Sequence, residues 1–140
     1  MIGTFRLPAI DDPSRLVEWR LDERGLEWTG TDGHDRWMPY ACIRLATLGC
    51  LAGRGWQLRL SGPPGVVTIT AGEDASPEDL AGFATLARQL IQGADDAGCR
   101  ARFRLNHRRL TPQWLWARRG KLMDSGGELA RSLPKTTTQS

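Results

Sequence analysis

Between residues 16 and 92 the hydrophobic period changes once, from two to about 3.6, and that change limits the folds open to the chain. In Leu16-Val-Glu-Trp-Arg-Leu-Asp22, Val17, Trp19 and Leu21 fall on one side and Glu18, Arg20 and Asp22 on the other. That alternation predicts a half-buried antiparallel strand. Asp22-Glu23-Arg24-Gly25 is a turn, and Leu26-Glu-Trp-Thr29 returns as the hairpin partner. After the polar loop Gly30–Asp35, Arg36-Trp-Met-Pro-Tyr40 is a further strand, which Pro39 places at an edge or a bulge. Ile43–Leu48 follows, with Ile43 and Leu45 on one face. Gly49 to Gly55 is a glycine-rich connection, Trp56–Leu60 alternates, Ser61-Gly-Pro-Pro-Gly65 is a turn, and Val66–Thr70 closes the series. The residues before 16, with Pro8 and Asp11-Asp12-Pro13, predict an irregular start.

At Ser76 the pattern becomes helical. Ser76 is an N-cap, Pro77 suits the first helical position, and Glu78 and Asp79 place acid in the first turn. Leu80, Phe83, Ala84, Ala87, Leu90 and Ile91 then form one apolar stripe over 77–92, and Gly93 is the natural stop. A stripe of that width must bury against the sheet, which is the partner available. The expected fold class is therefore α+β: an antiparallel β-meander of about six short strands with one amphipathic helix packed on it.

A chain of 140 residues accommodates one such domain and a short appendage. With 40% apolar and 25% charged residues it can build a core without disulfides or a structural metal. Cys42, Cys50 and Cys99 are odd in number and far apart, which predicts reduced thiols serving mostly as core fillers. No run approaches the roughly 18 apolar residues of a membrane span, and the N-terminus shows no export signal. A cytoplasmic protein is expected, either free or peripheral at the inner membrane surface.

The net charge of +3 conceals a division: residues 1–99 carry −5 and residues 100–140 carry +8. The predicted organisation is a body over 1–99, a basic strand and short helix over 100–120, and a flexible tail over 121–140. Arg100-Ala-Arg-Phe-Arg-Leu105 alternates, with three arginines on one face and Ala101, Phe103 and Leu105 on the other. Thr111-Pro112 caps a short helix, Gln113-Trp-Leu-Trp-Ala-Arg-Arg119, which Gly120 ends. Arg100, Arg102, Arg104, Arg108, Arg109, Trp114, Trp116, Arg118 and Arg119 are thus the candidate binding residues. Spaced arginines pair with phosphates, and tryptophans stack on bases or sit at lipid headgroups. Two other roles fit the same residues: the solvated face of an edge strand, or an anchor on a protein partner.

The one constellation resembling a metal or acid–base site is Asp32-Gly33-His34-Asp35, whose residues a hairpin loop also requires; a solvated turn is the expectation. No metalloprotease, nucleophile-elbow or P-loop motif occurs, Gly49-x-x-x-Gly53-x-Gly55 leads into a strand, and nothing adjacent activates a cysteine. No catalytic residue, metal ligand or cofactor is predicted. Trp19, Trp28, Trp37 and Trp56 lie in strand patterns as core or rim residues, and Tyr40 is a packed aromatic.

Over about residues 5–95 the pattern resembles bacterial pleckstrin-homology-like domains. The resemblance rests on Gly25-Leu26 after a turn, on Met38-Pro39-Tyr40-Ala41-Cys42-Ile43 entering a strand, and on the closing helix at 77–92. It implies a strongly bent antiparallel β-meander, a partly open barrel of about six or seven strands capped by the helix at one open end, and a non-catalytic domain that binds lipids, peptides or proteins. Where phosphoinositide-binding members carry basic residues between the first two strands, this chain has the acidic Asp22-Glu23-Arg24-Gly25. The function expected is an interaction module whose basic, Trp-containing C-terminal segment contacts a protein partner or an anionic membrane surface. The alternative is a nucleic-acid-binding protein that sets its C-terminal arginines on phosphates.

Overall fold

The computed structural model describes residues 3–9, 12, 14–51, 55–63, 65–72, 75–97, 102–106 and 121–134. It is mainly β. Four antiparallel strands, β1 (Thr4–Pro8), β2 (Leu16–Leu21), β3 (Gly25–Thr29) and β4 (Asp35–Pro39), form one sheet in sequence order. The Trp19↔Trp28 and Leu26↔Met38 pairs face inward, with the two indoles 5.5 Å apart and tilted. On the opposite face Glu18, Arg20 and Glu27 form a cross-strand ladder of ion pairs at 3.3–3.4 Å. The alternation of β2 is therefore as the sequence predicts.

A 3-10 turn at Tyr40–Cys42 leads to the second sheet. It contains β5 (Leu45–Leu51), β6 (Gly55–Gly62), β7 (Gly65–Gly72), β8 (Arg102–Asn106) and β9 (Lys121–Met123), in the order β7-β6-β5-β8-β9. Among the described residues the two sheets remain separate and do not close into a barrel.

Between β7 and β8 lies α1 (Pro77–Asp96), capped by Ser76, whose hydroxyl accepts from the Asp79 amide at 3.1 Å. Phe83, Leu86, Leu90 and Ile91 are fully buried among the inward residues of both sheets. Because the helix carries the chain back along the sheet, β8 enters parallel to β5, the pairing that requires such a crossover. Among the described residues no helix is long and apolar enough to cross a membrane.

Several expectations are corrected. The described residues form nine strands, not six or seven, and the second sheet is mixed, not antiparallel throughout. The irregular start contains β1, in which Leu7 is buried. The acidic turn Asp22–Gly25 consequently joins the second and third strands; the first connection runs from Ala9 to Arg15. Gly49 belongs to β5 and Gly55 opens β6, so the connection shrinks to 52–54. Ile43 precedes β5 and is buried, while the inward residues of the strand are Ala46 and Leu48.

The helix runs through Gly93 to Asp96, because Gly93 serves a close approach and not a stop: a Cβ there would lie 2.6 Å from the Tyr40 ring. The Tyr40 hydroxyl in turn donates to the Asp22 carbonyl at 3.1 Å. Burial, with the nearby Asp22 charge, pushes the Tyr40 phenol above its ordinary pKa. Finally, 121–134 are not a tail. β9 pairs with β8, and α2 (Gly126–Ala130) inserts Leu129 and, just beyond it, Leu133 into the common core.

Candidate binding surfaces

Strand β8 confirms the alternation predicted for its segment: Phe103 and Leu105 are buried, Arg102 is exposed and Arg104 half-buried. It is not an edge strand, since β5 and β9 flank it. Its arginines therefore stand on the outward face of a five-stranded sheet. The registers place Thr68, Arg59, Thr47, Arg104 and Leu122 in one row across that face. Two strand spacings separate Arg59 from Arg104, roughly 10 Å between their backbones. A neighbouring row carries Val66, Ser61, Leu45 and Arg102.

Burial lowers the Arg59 pKa from its ordinary value, because a half-dehydrated guanidinium holds its proton less tightly. Thr47 and Gln57 are 1% exposed, and Thr47 Oγ1 and Gln57 Oε1 have no hydrogen-bond partner among the described residues. At the margins Val66 and Leu122 are exposed, so the face combines cations with apolar side chains. Arg100, Arg108, Arg109, Trp114, Trp116, Arg118 and Arg119, predicted with Arg102 and Arg104, lie outside the described residues. Sequence reasoning missed Arg59, since one arginine in an alternating strand has no local feature to mark it.

A second surface is a cleft of about 600 Å³ between the sheets. The end of β1 (Pro8, Ala9), the start of β2 (Arg15, Val17, Trp19) and the β3–β4 hairpin (Trp28 to Thr31, Asp35 to Met38) line one side. Gly65 to Thr68 of β7 line the other, and α1 contributes nothing. Trp19 is 4% exposed, and its Nε1 is buried without an acceptor among the described residues. Trp28 is half-buried beside it, whereas Trp37, expected in the core or at a rim, is 47% exposed. The signal for this site was present in the strand tryptophans, but their convergence depends on the pairing of β2 with β3.

The Asp32–Asp35 loop is an exposed hairpin turn. The Gly30 amide donates to the His34 carbonyl at 2.8 Å, and Gly33 has φ 82°, where its missing Cβ matters. Asp32 accepts from the His34 amide at 3.0 Å and from Arg36 at 2.8 Å, while Asp35 accepts from Thr29 Oγ1. The His34 amide chiefly, and Arg36, hold the Asp32 carboxyl below its ordinary pKa. The carboxylates thus serve the turn itself. Among the described residues no three His, Cys, Asp or Glu side chains gather as a metal site. Cys42 and Cys50 are free and half-buried; Cys99 lies outside the described residues. Comparison of the chain with family models, curated proteins and solved structures finds no match.

Proposed function

We propose that this chain is a non-catalytic interaction module of the pleckstrin-homology-like type, in which the basic C-terminal segment contacts a protein partner or an anionic membrane surface. The observation that carries the reading is the outward row on the five-stranded sheet. Arg102 and Arg104 stand on β8, Arg59 lies two strands away, and exposed Leu122 continues the surface on β9. Cations interleaved with apolar side chains suit an acidic, partly apolar counterpart. The four-stranded antiparallel sheet, the β5-β6-β7 meander and the α1 that follows support the family resemblance. A cytoplasmic location, free or at the inner membrane surface, fits that role.

The test titrates the full chain with phosphatidylserine-containing vesicles, with poly-glutamate as a stand-in for an acidic protein, and with duplex and single-stranded nucleic acid. Each titration is run at about 50 and 200 mM salt. Vesicle or poly-glutamate binding that weakens with salt and drops in R102E is the expected result. Arg102 is exposed, so the substitution leaves the fold intact. Preferential binding to nucleic acid, with a steep salt slope, would replace this reading by phosphate recognition. No binding to any of the four refutes the cationic surface.

A further inference from the structure

We infer that the segment 107–120, which joins β8 to β9, docks on the outward face of the five-stranded sheet and buries its Thr70-Gln57-Gly49 row. Burial on that face rises in one direction. The registers define three successive outward rows: Val66-Ser61-Leu45-Arg102, then Thr68-Arg59-Thr47-Arg104-Leu122, then Thr70-Gln57-Gly49-Asn106. In the first row Val66 and Arg102 are exposed, and Ser61 and Leu45 are half-buried. In the second, Thr47 is 1% exposed between the half-buried Arg59 and Arg104. In the third, Thr70, Gln57 and Gly49 are all buried. Neighbours in the sheet do not account for this, because Gln57 stands between Gly49, which has no side chain, and the small Thr70. Both helices pack on the opposite, inward face, through Phe83, Leu90, Leu129 and Leu133. The cover therefore comes from residues outside the described set.

Segment 107–120 has the origin, the length and the chemistry for that role. It begins directly after Asn106, in the buried row itself. It spends fourteen residues joining antiparallel neighbours that about two to five would connect. The buried row crosses three strand spacings, about 14 Å, which the three-residue turn 52–54 cannot span. Residues 98–101 enter β8 at the opposite end, beside the exposed Arg102. The middle of the segment, Leu110-Thr-Pro-Gln-Trp-Leu-Trp-Ala117, is uncharged and carries two tryptophans, while its arginines stand in pairs at 108–109 and 118–119. An uncharged stretch thus meets an uncharged row, and Gly49 within that row marks where another chain can approach closely. Arg102, Val66 and Leu122 stay exposed, so the inference does not depend on whether they bind a partner.

The test places a thiol on the face. T47C and L122C are made singly in the full chain, with Cys42, Cys50 and Cys99 replaced by alanine, and treated with N-ethylmaleimide. T47C should react at least about tenfold more slowly than L122C, since accessibility decides between two thiols on one face. Deleting 108–119 leaves Asn106-His107-Gly120 as a three-residue turn between the paired Leu105 and Lys121, with glycine where such a turn favours it. That deletion should bring T47C close to the L122C rate. In the parent chain labelled with carbon-13, the Thr47 methyl should show nuclear Overhauser contacts to protons of residues 110–117. The inference is overturned if T47C reacts as fast as L122C in the full chain, or if it stays equally protected in a folded deletion variant. Should the deletion variant not fold, the parent spectrum decides: contacts from the Thr47 methyl to 110–117 uphold the inference, and their absence overturns it.

Discussion

Leu129→Ala asks whether the last described element belongs to the core. α2 has only five residues, too few to be stable alone, so packing must hold it. The contacts are close: a Cβ at Gly126 would lie 3.0 Å from Ile91 Cγ2 of α1. Leu129 is 0% exposed and shares the cluster containing Phe83, Leu90, Phe103 and Leu105. Truncating a fully buried leucine to alanine costs about 2–5 kcal/mol, depending on how far the site collapses. Within that range a loss of about 3 kcal/mol is expected. Unfolding entropy of about 2.1 cal/mol/K per residue converts this to a fall in Tm of roughly 10 °C for a chain of 140 residues. The control is Leu122→Ala, at a position 51% exposed, which should stay within about 0.5 kcal/mol. Urea unfolding followed by circular dichroism and tryptophan fluorescence measures both, with the m-value checked for constancy. Equal midpoints for the two variants would refute the placement of α2 in the core.

Phe83→Asp sets a carboxylate at a position 0% exposed on α1, and a loss of more than about 4 kcal/mol is expected by thermal melt; a parental melt would mean that α1 is not packed between the sheets. Gly93→Val pushes a side chain into the Tyr40 ring and should cost about 1–3 kcal/mol, less in a background where Tyr40 is already alanine; additive losses would sever the link. Asp32 has a folded pKa depressed below 3.8, so its contribution is present above that value and is lost as pH falls through the folded pKa. The stability difference between the parent and D32N should therefore shrink as pH is lowered from about 5 towards 2, and a constant difference would remove the carboxylate from the turn. A chain ending at residue 97 loses Phe103, Leu105, Leu129 and Leu133 from the core, at about 1.5–3 kcal/mol each, and leaves one side of β5 unpaired. Aggregation without a cooperative melt is expected, against which a soluble, parent-like fragment would count.

The parts of the fold that could be read from sequence are those with local causes. Val17, Trp19 and Leu21 alternate because one face of β2 is buried, and Ser76-Pro77 caps α1 with groups two or three residues apart. The errors share a different origin. β1 escaped notice because Thr4–Pro8 has a single fully buried residue, Leu7, and a strand with so little inward signal is identified only by its partner β2. Gly93 was misread because a glycine required by a distant tyrosine looks the same in sequence as one that ends a helix.

The same distinction governs the candidate sites. Arg102 and Arg104 were found because their strand alternates, but the meaning of that alternation depends on what lies beside it. On an edge, three arginines serve to discourage pairing with other chains. Between β5 and β9 no free edge remains to be protected, so that explanation fails for Arg102 and Arg104. Charge on the outward face of a central strand is met by water, by internal partners or by a counterpart surface. The placement of β8 by a crossover of twenty helical residues, a fact invisible to any local pattern, therefore removes edge protection as the account of Arg102 and Arg104 and leaves solvation, internal partners and a counterpart to be told apart by the salt titrations.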